Sequence, residues 1–130
     1  MLLKKLIKNV PTEKKNLIIR GLSINSKSIQ QGYIFFAIKG YNLNGEKYID
    51  EAVKKGAIVI VCSTNCKYKN QKVVIIKVSN VRHTLSKICS KFYKLKPKNI
   101  FAVTGTNGKT SVSDLFYQIL NLNKVPVASI

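Results

Sequence analysis

The sequence predicts an α/β fold, on three observations. Apolar runs of strand length, rich in β-branched and aromatic residues, occur at 33–38, 57–61 and 73–78. Segments with apolar residues at helical spacing alternate with them. After Pro97 the pattern restarts as strand, glycine-rich turn and helix. With 130 residues the chain has room for one ordinary domain of ~100–200 residues and a short part of another. Its 45% hydrophobic content is that of a packed globule rather than a low-complexity chain.

In chain order, Leu2, Leu3, Leu6 and Ile7 mark a short opening helix that Pro11 ends. Residues 17–19 and 22–26 read as two short strands about Gly21. Gln30, Gln31 and Gly32 turn the chain into the buried strand 33–38. The Gly and Asn content of 40–45 marks a loop, and 48–55 is a helix closed by Gly56. Strand 57–61, a polar surface loop at 63–72 and strand 73–78 follow. Val81, Leu85, Ile88 and Phe92 share one face of a helix for which Ser79 or Asn80 supplies the N-cap. His83 lies off that face and is expected in solvent. The charged, proline-containing stretch 94–98 is the domain boundary, giving domains at 1–95 and 98–130. Beyond it come strand 100–104, a helix from about Thr110 to Leu122, and the start of a second strand at 126–130.

The 23 Lys and Arg against 5 Asp and Glu give a net charge of +18. Nucleic acid is nevertheless not the predicted partner. Only Arg20 and Arg82 are arginines, so the bidentate fork is nearly absent, and the lysines scatter from Lys4 to Lys124. Such a charge favours polyanionic small molecules by steering. No apolar run approaches the ~18 residues of a membrane span, and the lysine-interrupted start is not a signal peptide. Cys62, Cys66 and Cys89 are an odd number, expected as free thiols in a reducing compartment. Cys62 and Cys66 have the spacing of half a zinc site, but no second cysteine pair completes it. The expectation is a soluble cytoplasmic monomer without nucleic-acid or membrane partners.

The strongest motif runs over 101–111. Gly105 and Gly108 let the backbone turn so that successive N–H groups, Thr106 and Asn107 among them, face one concavity, to which the following helix adds its positive end. Lys109 is placed to reach the β- and γ-phosphates of a nucleotide, and the Thr110 hydroxyl to ligate the accompanying Mg²⁺, with Ser111 next in the first turn. The match is to the tail of a P-loop: the early glycine, five residues before Gly108, is Val103 here.

Residues 104–111 resemble the ATP loop of the Mur ligases, which build the peptide of bacterial peptidoglycan and whose own loop also lacks the early glycine. A second segment agrees. Residues 21–27, then 32–40, Asn44, Gly45, Tyr48 and Ile49, are similar to the N-terminal domain of these ligases, which holds the UDP end of the substrate. Thr106 and Asn107 make the resemblance nearest to the MurE type, which adds the third amino acid, diaminopimelate or lysine, to UDP-N-acetylmuramoyl-L-alanyl-D-glutamate. The MurF type shares the first domain and a similar loop.

The resemblance implies an N-terminal UDP-sugar-binding domain at 1–95. The first strand, loop and helix of a central P-loop ATPase domain would follow, incomplete at 98–130. It thus implies the N-terminal piece of a longer ligase, with the amino-acid site outside this chain. It implies ATP and Mg²⁺ as cofactors and ATP binding by Gly105, Thr106, Asn107, Gly108, Lys109, Thr110 and Ser111. Lys109 would be catalytic and Thr110 a metal ligand. Ile24 and Ser26 would contact the UDP end, with Tyr41, Asn42 and Leu43 packed round it. ATP would phosphorylate the substrate carboxylate, and the incoming amine would attack the acyl phosphate. The family's Asp-Ser-Arg is here Asn25, Ser26 and Lys27, and Tyr41 stands where the family often has His. Lys27 keeps the charge and loses the fork. The readings from other classes are a non-catalytic UDP-sugar-binding module and a basic P-loop protein acting on nucleic acid.

Overall fold

Four strands, β1 (Gly21–Ser23), β2 (Tyr33–Phe36), β3 (Ala57–Ser63) and β4 (Val74–Val78), form one parallel sheet in chain order. They belong to Met1–Leu95, one of two units into which the computed structural model divides, the other being Lys96–Ile130. Residues 1–8, 10–41 and 43–129 are described. Three helices accompany the sheet: α1 (Leu3–Leu6), α2 (Ile49–Lys54) and α3 (Val81–Phe92).

A parallel sheet buries both faces, and successive side chains serve them in turn. Ile34 and Phe36 of β2, Val59 and Val61 of β3, and Val74 and Ile76 of β4 meet Leu3 and Leu6 of α1 and Val81 and Ile88 of α3. Phe35, Ile60 and Cys62 point the other way and meet Ile49 and Ala52 of α2. The alternation slips once. Tyr33 pairs with Ala57 but Ile34 with Val59, which leaves Ile58 as the extra residue of a bulge.

Boundaries differ from the sequence expectation where a local hydrogen bond competes with the ladder. Residues 17–19 join no sheet. They make a single antiparallel bridge, Leu2 to Ile18, and the Ile19 N–H donates to Met1 O at 2.7 Å. The strand expected at 22–26 ends at Ser23, because Asn25 Oδ1 accepts the Lys27 N–H at 2.9 Å and winds a 3-10 turn over Ser26–Ser28. β2 stops short of Ile38, whose N–H folds back to Phe36 O at 2.9 Å. The helix expected at 48–55 is a 3-10 turn, Gly45–Tyr48, running into α2. Asn80 caps α3, its Oδ1 accepting the His83 N–H at 2.9 Å, and the His83 side chain is exposed.

In Lys96–Ile130 the helix α4 (Lys109–Leu122) is the one regular element among the described residues. The strands expected at 100–104 and 126–130 are not formed over the described residues; Ile130 lies outside them. A strand exists through its neighbour's N–H and C=O groups, and no described residue of this unit supplies them. Residues 100–104 instead lean on α4 through Phe101 and Phe116, whose rings meet edge to face with centroids 5.2 Å apart. At its far end α4 is closed by Lys124, left-handed at φ 56°. The Val125 N–H donates to Leu120 O and the Lys124 N–H to Asn121 O, both at 3.0 Å, which satisfies two terminal carbonyls. No residue of α4 is buried.

Candidate functional site

β1 and β2 are adjacent and parallel, so the loops leaving their C-terminal ends emerge from one edge of the sheet, the edge at which open α/β sheets bind ligands. The first loop carries Ile24 and Ser26, the second Tyr41 and Leu43; Asn42 lies outside the described residues. Ile24, Tyr41 and Leu43 are apolar or aromatic side chains exposed at 59%, 105% and 68%. Together they give this edge apolar surface that a ligand can cover.

Ser26 is the opposite case. It is 6% exposed, the one polar side chain buried among the described residues. Its Oγ–H donates to Glu51 Oε2 on α2 at 2.7 Å. The other Glu51 oxygen lies 3.1 Å from Lys55 Nζ, which also reaches Lys27 O at 3.4 Å. The Ser26 bond first, and then Lys55, hold the Glu51 carboxyl below its ordinary 4.5. Ser23 Oγ knits the same loop, accepting the Asn25 N–H at 2.9 Å and pairing with Ser28 Oγ at 2.8 Å.

The second loop closes on itself. The Gly40 N–H donates to Leu43 O at 2.7 Å and the Gly45 N–H to Ile38 O at 2.9 Å. A Cβ on Gly45 would stand 2.7 Å from that Ile38 oxygen, so the approach requires glycine. Glu46 fastens the far end: its Oε1 accepts Ser63 Oγ–H at 2.6 Å and the Ser63 N–H at 3.3 Å, at the end of β3. Arg82 of α3 comes to the near end, with Nη2 4.0 Å from where a Cβ on Gly40 would lie.

The glycine-rich loop at 105–108 belongs to the other unit. Gly108, at the N-cap of α4, is left-handed at φ 72°, and Gly105 has φ 155°. Among the described residues, none accepts a hydrogen bond from the N–H groups of Thr106, Asn107 and Gly108. Lys109 folds back over the loop, its Nζ donating to Gly105 O at 2.5 Å and Thr106 O at 3.4 Å. Open amide donors, a helix N-terminus and a lysine at the mouth are the parts of an anion cradle. Thr110 and Ser111 follow, exposed, in the first turn, and Asp114 is exposed one turn further on.

Cys62 and Cys66 belong to the core of the first unit, and Cys89 is partly buried on α3. Burial, and then the Cys66 thiol beside it, push the Cys62 thiol up to about 12, and burial raises Cys89. All three are free of disulfides, and the raised thiols of Cys62 and Cys89 are poor nucleophiles. Sequence reasoning did not single out Glu46, Glu51 or Arg82. A signal for the first two was present, since residues 46–51 hold three of the five acidic residues of a strongly basic chain.

A parallel sheet flanked by helices, followed by a helix that opens on a glycine-rich turn, defines as a class an α/β protein. The profile of the Mur ligase family, catalytic domain, matches residues 18–93. The chain belongs to the Mur ligase family. It is 40% identical over 118 residues to the UDP-N-acetylmuramoyl-L-alanyl-D-glutamate–2,6-diaminopimelate ligase of Rickettsia prowazekii, covering 89% of this chain and 24% of that one. The protein of the same name from Brucella melitensis is 33% identical over 120 residues, covering 92% and 25%. The chain thus spans about a quarter of the length of the curated relatives it matches.

Among solved structures it is similar to a MurF ligase from Thermotoga maritima in complex with ADP, with TM-score 0.65, 30% identity, and 83% of this chain and 25% of that one covered. A UDP-N-acetylmuramoyl-L-alanyl-D-glutamate–2,6-diaminopimelate ligase structure gives TM-score 0.71 at 23% identity over 95% and 26%, a likeness of fold. The α/β Mur ligase fold and the family read from the two sequence segments both hold. No helix among the described residues is long and apolar enough to cross a membrane.

Proposed function

We propose that this chain is the part of a diaminopimelate-adding ligase that holds the UDP end of UDP-N-acetylmuramoyl-L-alanyl-D-glutamate and the phosphates of ATP. One observation carries the reading: the substrate-edge loops and the phosphate cradle occur in family order in a chain 40% identical to a protein of that name. Ile24, Ser26, Tyr41, Asn42 and Leu43 take the nucleotide end. Exposed apolar groups cover the base and ribose, and Lys27 and Arg82 are the cations for the diphosphate. Residues 105–111 take ATP, with Lys109 on its β- and γ-phosphates and the Thr110 hydroxyl on Mg²⁺.

The open N–H groups and left-handed glycines of the cradle fit such a polyphosphate. Bound ATP with Mg²⁺ supplies the phosphoryl group that activates the substrate carboxylate for attack by the amino acid. The chain's own part is binding and orientation. Lys109 leaves the carbonyls of Gly105 and Thr106 for phosphate oxygens, exchanging two dipoles for a charge. The protein works as a cytoplasmic monomer on a small-molecule precursor, not on nucleic acid or a membrane. The Thermotoga maritima neighbour favours a MurF-type reading at 30% identity. It ranks second because the diaminopimelate ligase relatives reach 40%.

Calorimetric titration of the 130-residue chain with the UDP-dipeptide precursor, with ADP and Mg²⁺, and with single-stranded DNA tests the proposal. Saturable binding of the precursor, and DNA binding that fades at physiological salt, are expected. Salt-resistant DNA binding with no uptake of the precursor overturns it. The chain alone is expected to release no ADP in response to diaminopimelate. After Pro97 its one acidic residue is Asp114, exposed on α4. Phosphoryl transfer also asks for further metal ligands and a positioned acceptor.

A further inference from the structure

We infer that Glu51 is a positioning residue of the substrate edge: its carboxylate holds Ser26, and with it the Ser26–Ser28 turn, in the arrangement that the ligand meets. The inference rests on the reading of this edge as the place of the UDP end.

The geometry is a closed ring. Ser26 Oγ donates to Glu51 Oε2 at 2.7 Å, Glu51 Oε1 pairs with Lys55 Nζ at 3.1 Å, and Lys55 Nζ returns to Lys27 O at 3.4 Å. The Ser26-Lys27 step is thereby tied to α2 at Glu51 and to its C-cap residue Lys55. That helix is itself anchored, with Ile49 1% and Ala52 0% exposed. A hydroxyl has one proton, and Ser26 gives its proton to a carboxylate, the acceptor that makes the stronger kind of hydrogen bond. The Ser26 hydroxyl keeps its lone pairs as acceptors, and its carbonyl accepts the Ile29 N–H at 3.3 Å, which closes the turn. In a chain with 23 basic and 5 acidic residues, a carboxylate with both oxygens engaged inside the chain is not a solubilising charge. Nor does its ion pair explain it, since the pair with Lys55 is exposed at 39% on each side and such pairs contribute little. The partner that distinguishes Glu51 is the buried hydroxyl 25 residues away.

The test is titration of UDP into the wild-type chain and five variants, the Ser26→Ala single and the Ser26→Ala/Glu51→Ala double among them. Glu51→Ala is expected to weaken UDP binding about three- to tenfold, the worth of a hydrogen bond. Glu51→Gln keeps an acceptor for the Ser26 hydroxyl and is expected within about twofold of wild type. Lys55→Ala breaks the ion pair and the long, exposed bond to Lys27 O, leaves the Ser26 bond, and is also expected within about twofold. In a Ser26→Ala background, Glu51→Ala is expected to add nothing, because its route runs through Ser26. Amide hydrogen exchange at Lys27, Ser28 and Ile29, read without UDP, is expected to quicken in Glu51→Ala and not in Lys55→Ala. If the wild type takes up no UDP, the reading of the edge falls, and the role of Glu51 with it. If UDP binds and Glu51→Ala leaves affinity or turn exchange unchanged, or its loss adds to that of Ser26→Ala, the role alone is overturned.

Discussion

Phe35, Phe36, Val59 and Ile60 lie in the sheet of Met1–Leu95 with at most 1% exposure, whereas in Lys96–Ile130 the apolar residues Val112, Leu115, Phe116, Ile119 and Leu122 of α4 are all exposed, from 39% to 81%. Both regions carry amphipathic or apolar patterns of ordinary strength. The difference is in partners. The first unit contains strands to pair with strands and helices to cover both faces. The second has a helix, a loop and an unpaired apolar segment. Local signals suffice to shape a glycine-rich loop and cap a helix, but only non-local partners turn an apolar run into a strand and a stripe into a core.

The comparison can be broken first by core truncation. Phe36→Ala is expected to cost about 3–5 kcal/mol, read by urea denaturation followed by circular dichroism, against less than about 1 kcal/mol for Phe116→Ala. Equal costs would mean that both regions are packed alike. A sharper version separates function from folding. Lys109→Ala is expected to weaken ADP binding about tenfold or more while the denaturation midpoint of the first unit stays put, because the charge it removes lies outside that core. Ser26→Ala, by contrast, acts on both readouts. It is expected to weaken binding of the UDP-dipeptide by about 0.5–1.5 kcal/mol and to lower the midpoint, since its hydroxyl is buried and bonded.

The smallest effect is in pH. The Glu51 carboxyl titrates lower in the folded chain than its ordinary 4.5, so the folded state binds its proton less readily than the unfolded one. Its contribution to stability is complete above that ordinary value and is lost as pH falls through the folded one. Denaturation of wild type and Glu51→Gln between about pH 6 and pH 3 is expected to show a steeper acid loss in wild type, and parallel curves would deny the coupling.

Much of this was legible in the residues. The β-branched runs around Ile34, Val59 and Ile75 gave their strands, and Asn80 with Val81, Leu85, Ile88 and Phe92 gave α3 its start and face. Gly105, Gly108 and Lys109 gave the cradle. The run at 100–104 misled because an apolar segment records its own propensity and not whether a neighbour is present. Asn25 misled differently: the side-chain bond that ends β1 spans two residues, and it outcompeted an apolar-polar alternation that continued on paper. The fastenings by Glu46 and Glu51 join residues 17 and 25 apart, a distance at which neither spacing nor composition shows who meets whom.

The order of the strands has one more consequence. Strands that follow one another across the sheet, β1 to β4, leave no reversal where successive connections part to opposite sides and open a crevice. This edge is therefore a ledge, on which Ile24, Tyr41 and Leu43 are exposed to solvent. A ligand that covers these side chains takes their apolar surface out of water. The heat-capacity change of binding is then negative, and the binding enthalpy grows more favourable with each degree of warming.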